Sequence, residues 1–74
     1  MADQTLDCKG MNCPMPIIML SKAIKPLNSG QTVEVLATDP AFKPDLEAWA
    51  KRLGHAIVSF DTGDGGMSAV VQKK

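Results

Sequence analysis

Apolar positions along this 74-residue chain switch repeatedly between a period of two and a period near 3.6. Gln4 to Cys8 reads as a short strand with Leu6 facing inward, and Lys9-Gly10-Met11-Asn12 turns the chain. From Pro14 to about Lys25, Ile17, Leu20 and Ile24 recur at helical spacing, with Ala23 and Leu27 beside them. Lys22 and Lys25 sit near the end of that helix, where its dipole favours cations. Pro26 stops it, and Asn28-Ser29-Gly30 forms a turn. Gln31 to Thr38 alternates, with Val33, Val35 and Ala37 on one face. Asp39-Pro40 predicts a helix start, a capping carboxylate followed by proline at the first helical position. Leu46, Trp49, Ala50 and Leu53 follow at helical spacing. Pro44 implies either a distorted first turn or a regular helix that begins near it. Gly54 suits the C-terminal cap. His55 to Asp61 alternates again, with Ala56, Val58 and Phe60 on one side. Thr62 to Gly66 is a loop, and Met67 to Gln72 is a last strand.

The order βαβαββ predicts an α/β (α+β) two-layer sandwich. Four strands form a mixed sheet, both crossover helices cover one face, and the last two strands make a hairpin. The length fits a single domain over 1–74. A chain this short buries only ~60% of its unfolded surface, which disfavours a deep enclosed site. Hydrophobic residues make up 45% of the chain, enough for a folded core.

Charge and cysteine usage narrow the function. Eight basic residues balance eight acidic ones, which argues against binding nucleic acid through surplus cations. Two Cys and one distant His are too few for a structural zinc site, so neither metal nor cofactor is expected. Residues 1–7 carry no apolar run, and no stretch approaches the ~20 apolar residues of a membrane span. A cytoplasmic, reducing setting with no membrane association is therefore expected.

The chemistry concentrates at Cys13-Pro14-Met15-Pro16. With Cys13 as helix N-cap, Pro14 and Pro16 become the first and third helical residues. Neither position's N–H has a partner within the helix, so both prolines are tolerated. Moving the cap to Asn12 would place Pro16 where a helical bond is lost. Pro14 also biases Cys13 toward the extended conformation a cap requires. A free thiol with pKa ~8.5 is only a few per cent thiolate at neutral pH. The positive helix end and its spare N–H donors favour the anion, and a pKa lower by one or two units makes roughly a quarter or more of it thiolate. Lys9 can add positive charge, and Gly10 lets the turn stay tight without blocking the sulfur. The plainer alternative is a small core Cys, the usual role of a lone cytosolic thiol. Ser, Thr, Asp or Asn would be the more natural purely structural cap.

Leu6-Asp7-Cys8-Lys9-Gly10-Met11-Asn12-Cys13-Pro14-Met15-Pro16 resembles the N-terminal signature of the TusA/SirA sulfur-carrier family. Met11 stands where Leu is more usual. The Gly30 turn, Asp39-Pro40, Trp49 and Gly54-His55 agree with the same family, so the resemblance covers nearly the whole chain. It implies the two-layer sandwich already read from the pattern. It implies a carrier of sulfane sulfur, a sulfurtransferase-type relay, with Cys13 as the loaded residue and Gly10, Pro14 and Pro16 as its support. The implied partners are a cysteine desulfurase or rhodanese-like donor and a downstream acceptor protein, in tRNA thiolation, cofactor synthesis or sulfur oxidation. A monomer without direct nucleic-acid contacts is expected.

Other residues weigh less. Cys8, five positions before Cys13, is either a second thiol or a packed strand-end residue, and the packed role is favoured. His55 is a general base only if it lies near Cys13; a surface or structural role is favoured. Trp49 lies on the helical stripe and belongs to the core. Met15, Ile18 and Met19 lie near Cys13, and those off the buried stripe would form an apolar docking patch. Thr62 to Gly66 joins two strands and lacks the Gly-Lys-Ser/Thr ending of a phosphate loop. The competing function is a thiol redox or regulatory module using Cys8 and Cys13. A small interaction or RNA-binding domain comes third, weakened by neutral charge and three aromatic residues.

Overall fold

The structure is a computed structural model that describes residues 2–12, 14–63 and 65–74. Its elements are β1 (Gln4–Cys8), α1 (Met15–Ile24), β2 (Thr32–Ala37), α2 (Phe42–Leu53), β3 (Ala56–Gly63) and β4 (Gly66–Gln72). They form a four-stranded mixed sheet in the order β1-β2-β4-β3, with β1 parallel to β2 and both β4 pairings antiparallel. β4 thus inserts between β2 and β3, which run parallel to each other. Each helix returns antiparallel to the strand before it. The N-termini of α1 and α2, the C-terminal ends of β1 and β2, and the β3–β4 hairpin therefore share one end of the molecule.

The core lies between the helices and one face of the sheet. Val33, Val35 and Ala37 of β2, Ala69 and Val71 of β4, and Cys8 of β1 are buried there. Pro16, Leu20 and Ile24 of α1 and Phe42, Leu46, Trp49 and Ala50 of α2 meet them. The Trp49 indole N–H donates to Ser21 Oγ at 2.9 Å, so its one polar atom is satisfied and joins the two helices.

Four local expectations shift, each for a physical reason. The N-cap of α1 is Pro14, whose carbonyl accepts from the N–H groups of both Ile17 and Ile18 at 3.1 Å, so the helix starts one residue later than expected. Pro16 then occupies the second helical position, which needs no N–H either. Asp39 does not cap α2. Its carboxylate accepts from Ala41 N–H at 3.0 Å and its carbonyl from Phe42 N–H at 2.9 Å, making a turn before the cap at Ala41. Pro44 thereby falls within the first turn, where it is tolerated. On β3 the expected Ala56, Val58, Phe60 face is broken by a bulge between Ile57 and Ser59. Val58 is the extra residue and stands 58% exposed, while Ile57 and Phe60 pack against the core. Leu53, expected on the buried stripe, is 46% exposed at the last residue of α2, just before Gly54 closes the helix by donating its N–H to Ala50 O.

Candidate functional site

The start of α1 is built by the chain that leads into it. β1 ends at Cys8, and Gly10 reverses the backbone with φ +83°, a conformation open to glycine at little cost. Among the described residues, three hydrogen bonds run within this segment: Lys9 N–H to Asp7 Oδ1 at 3.1 Å, Met11 N–H to Cys8 O at 3.1 Å, and Met15 N–H to Asn12 O at 2.9 Å. A fourth is long-range, from Gly10 N–H to Thr38 Oγ1 at 2.9 Å, and ties the turn to the end of β2. Met11 packs against the core and anchors the turn from below.

Cys13 and its expected capping geometry lie outside the described residues. Its immediate successors are well defined. Pro14 is exposed, and Pro16 points into the core. Met15 and Ile18 are 44% and 40% exposed, on the side of α1 away from the sheet. Met19 is half-buried and packs against the core. Of the expected docking trio, Met15 and Ile18 are the exposed members, because Met19 falls on the edge of the buried stripe beside the fully buried Leu20.

The electrostatics of this helix end also differ from expectation. The spare N–H donors inferred for the first turn are not spare. Met15 donates to Asn12 and Ile17 to Pro14, while Pro16 has no N–H at all. Among the described residues, what remains is the dipole of a ten-residue helix, equivalent to roughly half a positive charge at its N-terminus. The first turn of α1 carries no acidic residue to oppose that charge.

Cys8 is in a contrasting environment. It is 1% exposed at the end of β1, paired in register with Ala37. Burial first, and the Asp7 carboxylate second, push its thiol pKa up from the ordinary value. A buried thiol held protonated is a poor nucleophile.

His55 stands at the start of β3, at the opposite end of the sheet from the start of α1. Its Nδ1 accepts from Lys74 N–H at 3.0 Å, and its ring lies 5.1 Å from that of Trp49. Burial, then the charges of Lys73 and Lys74, lower its pKa. These contacts tie it to the C-terminus and to Trp49, away from the start of α1, and Trp49 belongs to the core as expected.

Several hollows open on the described surface, one of them beside the β3–β4 hairpin and Lys9. A shallow groove of about 260 Å³ between the helices is lined by Pro14, Ile17, Asp45, Ala48, Trp49 and Arg52 and opens beside the first turn of α1. Sequence reading did not find it, since its two walls come from helices some thirty positions apart. A larger hollow of about 600 Å³ lies on the uncovered sheet face, between Thr5, Glu34, Val58 and Val70, away from the helices altogether. The groove between the helices is the one that borders the start of α1, because Pro14 forms part of its wall. Among the described residues no cluster of His, Cys, Asp and Glu has the makings of a metal site, and no helix is long and apolar enough to cross a membrane.

The family model for sulfurtransferase TusA matches residues 4–73. The sulfur carrier protein TusA of Allochromatium vinosum is 37% identical over 71 residues, which cover 96% of this chain and 93% of that protein. A protein of Aquifex aeolicus named as a candidate sulfur carrier is also 37% identical over 71 residues, but the chain spans only 36% of its length. The crystal structure of a SirA-like protein from Desulfitobacterium hafniense superposes with a TM-score of 0.79 at 28% identity, covering 93% of each chain.

Proposed function

The chain belongs to the TusA sulfurtransferase family, and from that premise we propose that it carries sulfane sulfur as a persulfide on Cys13, passing it from a donor protein to an acceptor protein. The observation that carries this reading is the setting of the residues after Cys13. Pro14 is an exposed helix cap, flanked by the exposed apolar side chains of Met15 and Ile18 and by a shallow groove. Such a surface, directly following Cys13 in the chain, suits the docking of a protein that presents its own cysteine.

The transfer is a thiol exchange. The Cys13 thiolate attacks the outer sulfur of a donor persulfide, R–S–SH. The new S–S bond forms as the donor's own S–S bond breaks, and the donor sulfur leaves as R–S⁻. The proton stays on the transferred sulfur, and no external oxidant or reductant is needed. Delivery repeats the step with an acceptor thiolate attacking the outer sulfur and Cys13 leaving as thiolate. A positive helix end lowers the energy of both the attacking and the leaving Cys13 anion. Met15 and Ile18 supply an apolar contact that a donor and an acceptor use in turn. The donor is a cysteine desulfurase or a rhodanese-like protein, and the work is done in the cytoplasm.

The dithiol alternative is disfavoured by Cys8, which is buried and whose thiol is pushed toward the protonated form. Intact-mass spectrometry separates the two. After incubation with a cysteine desulfurase and cysteine, the chain is expected to gain the mass of sulfur, to lose it on reduction, and to gain none as Cys13→Ser. A loss of two hydrogens with no gain of sulfur would instead establish the redox module.

A further inference from the structure

We propose that Thr38 is a positioning residue for the Cys13 thiol: by accepting the Gly10 N–H it fixes the turn from which the segment carrying Cys13 departs. Among the four hydrogen bonds of that turn described above, three run between Asp7 and Met15 and move with the segment. The bond to Thr38 Oγ1, 2.9 Å long and spanning 28 residues, is the one that references the turn to another strand. Gly10 needs such a reference, because its φ of +83° is one choice among many for a glycine and nothing lies within 4 Å of where a side chain would be.

Thr38 is itself held in place from the other side. It follows Ala37, the last residue of β2, and Ala37 pairs with both Cys8 and Met67. The hairpin residue Gly66 approaches so closely that a Cβ there would meet Ala37 O at 2.6 Å and Thr38 Cγ2 at 2.9 Å. Its φ of +125° is likewise a glycine conformation. The β3–β4 hairpin therefore packs on the methyl of Thr38 while the hydroxyl oxygen faces Gly10. A residue with both groups on one β-carbon serves both neighbours. This arrangement passes from hairpin to β2 to turn through side-chain and backbone contact, without any atom of Thr38 entering the chemistry.

This inference rests on Cys13 as the reactive thiol, and its test does not use sulfur transfer. The rate of alkylation of Cys13 by iodoacetamide, followed on its own peptide by mass spectrometry, is measured against pH for the wild type, Thr38→Val and Thr38→Ser. Valine keeps the shape and removes the acceptor; serine keeps the acceptor and removes the methyl. Thermal melting of each variant verifies that it is folded. The expected result is a Thr38→Val profile displaced by about half a pH unit toward the ordinary thiol value, seen as about threefold slower alkylation at neutral pH, with Thr38→Ser matching the wild type. A Thr38→Val profile that coincides with the wild type overturns the proposal. So does equal displacement by both variants, since the hydroxyl oxygen would then not be the group that matters. A wild type that fails to load sulfur sinks the carrier reading and leaves this comparison standing.

Discussion

Pro14 and Pro16 remove two N–H groups from the start of α1, and Met15 and Ile17 spend theirs on Asn12 and Pro14. Among the described residues, the helix end therefore acts on a nearby anion through its dipole and not through direct donation. A negative charge placed there opposes it. Met15→Glu adds one in the first turn, and alkylation of Cys13 at neutral pH is expected to slow several-fold, with the pH profile moved upward. Ile18→Lys tests docking separately, because it brings no negative charge to the thiolate. As Ile18 is exposed, its replacement should leave the melting temperature nearly unchanged, within roughly 0.5 kcal/mol of stability. Affinity for the sulfur donor, measured by titration calorimetry, should fall about tenfold if Ile18 anchors the contact. At the other thiol the expectation reverses. Native Cys8 should resist alkylation, and Cys8→Ala should lose about 1 kcal/mol of stability while still loading sulfur.

Gly66 is where the hairpin and β2 come closest. Gly66→Ala puts a methyl against Ala37 O and strains a φ of +125°. A loss of about 2 kcal/mol in chemical denaturation is expected. An unchanged midpoint would mean that the hairpin is free to shift. Most of the elements could be read from periodicity, and β1 was bounded at Gln4–Cys8 from the pattern alone. The details that escaped depend on contacts between distant residues. The bulge at Val58 turns on pairing with Val70 and Val71, which the local Ala56, Val58, Phe60 alternation does not reveal. Strand order, with β4 between β2 and β3, depends on which edges meet after the crossovers form. The one-residue offset at α1 arose because Pro16 is compatible with the second and the third helical position alike. At the site, Cys13 and the motif around it stood out in the sequence. Thr38 did not, since its partner Gly10 lies 28 residues earlier.

The whole molecule is a slab measuring 31 × 24 × 17 Å, one helix layer on one sheet. Its two ends have different tasks. At the end away from the start of α1, Lys73 Nζ donates to Lys25 O at 2.8 Å and Leu27 O at 2.7 Å, closing the C-terminus of α1. Beside it His55 accepts the Lys74 N–H, so the neutral imidazole is the form that fits. Its pKa is lowered by burial and by Lys73 and Lys74, so the unfolded chain binds that proton more tightly than the folded one. His55 leaves stability unaffected above its ordinary value of 6.5 and lowers it as pH falls from there toward the lowered folded value, below which the loss is complete. Melting followed from about pH 7.5 to pH 5 should show this decline, and His55→Gln should flatten the His55 part of it. Sulfur loading at neutral pH should be unaffected by that change, because His55 lies at the far end of the sheet.

The most direct test of sulfur carriage on Cys13 is the location of sulfur after loading. Wild type, Cys8→Ala and Cys13→Ser are each charged by a cysteine desulfurase, trapped with an alkylating agent, digested and mapped by mass spectrometry. The expected result is one added sulfur on the Cys13 peptide of both wild type and Cys8→Ala, transferred to an acceptor thiol on chase, and none on Cys13→Ser. Sulfur found on Cys8, or a Cys8→Ala variant that neither loads nor releases, would contradict a single-thiol carrier.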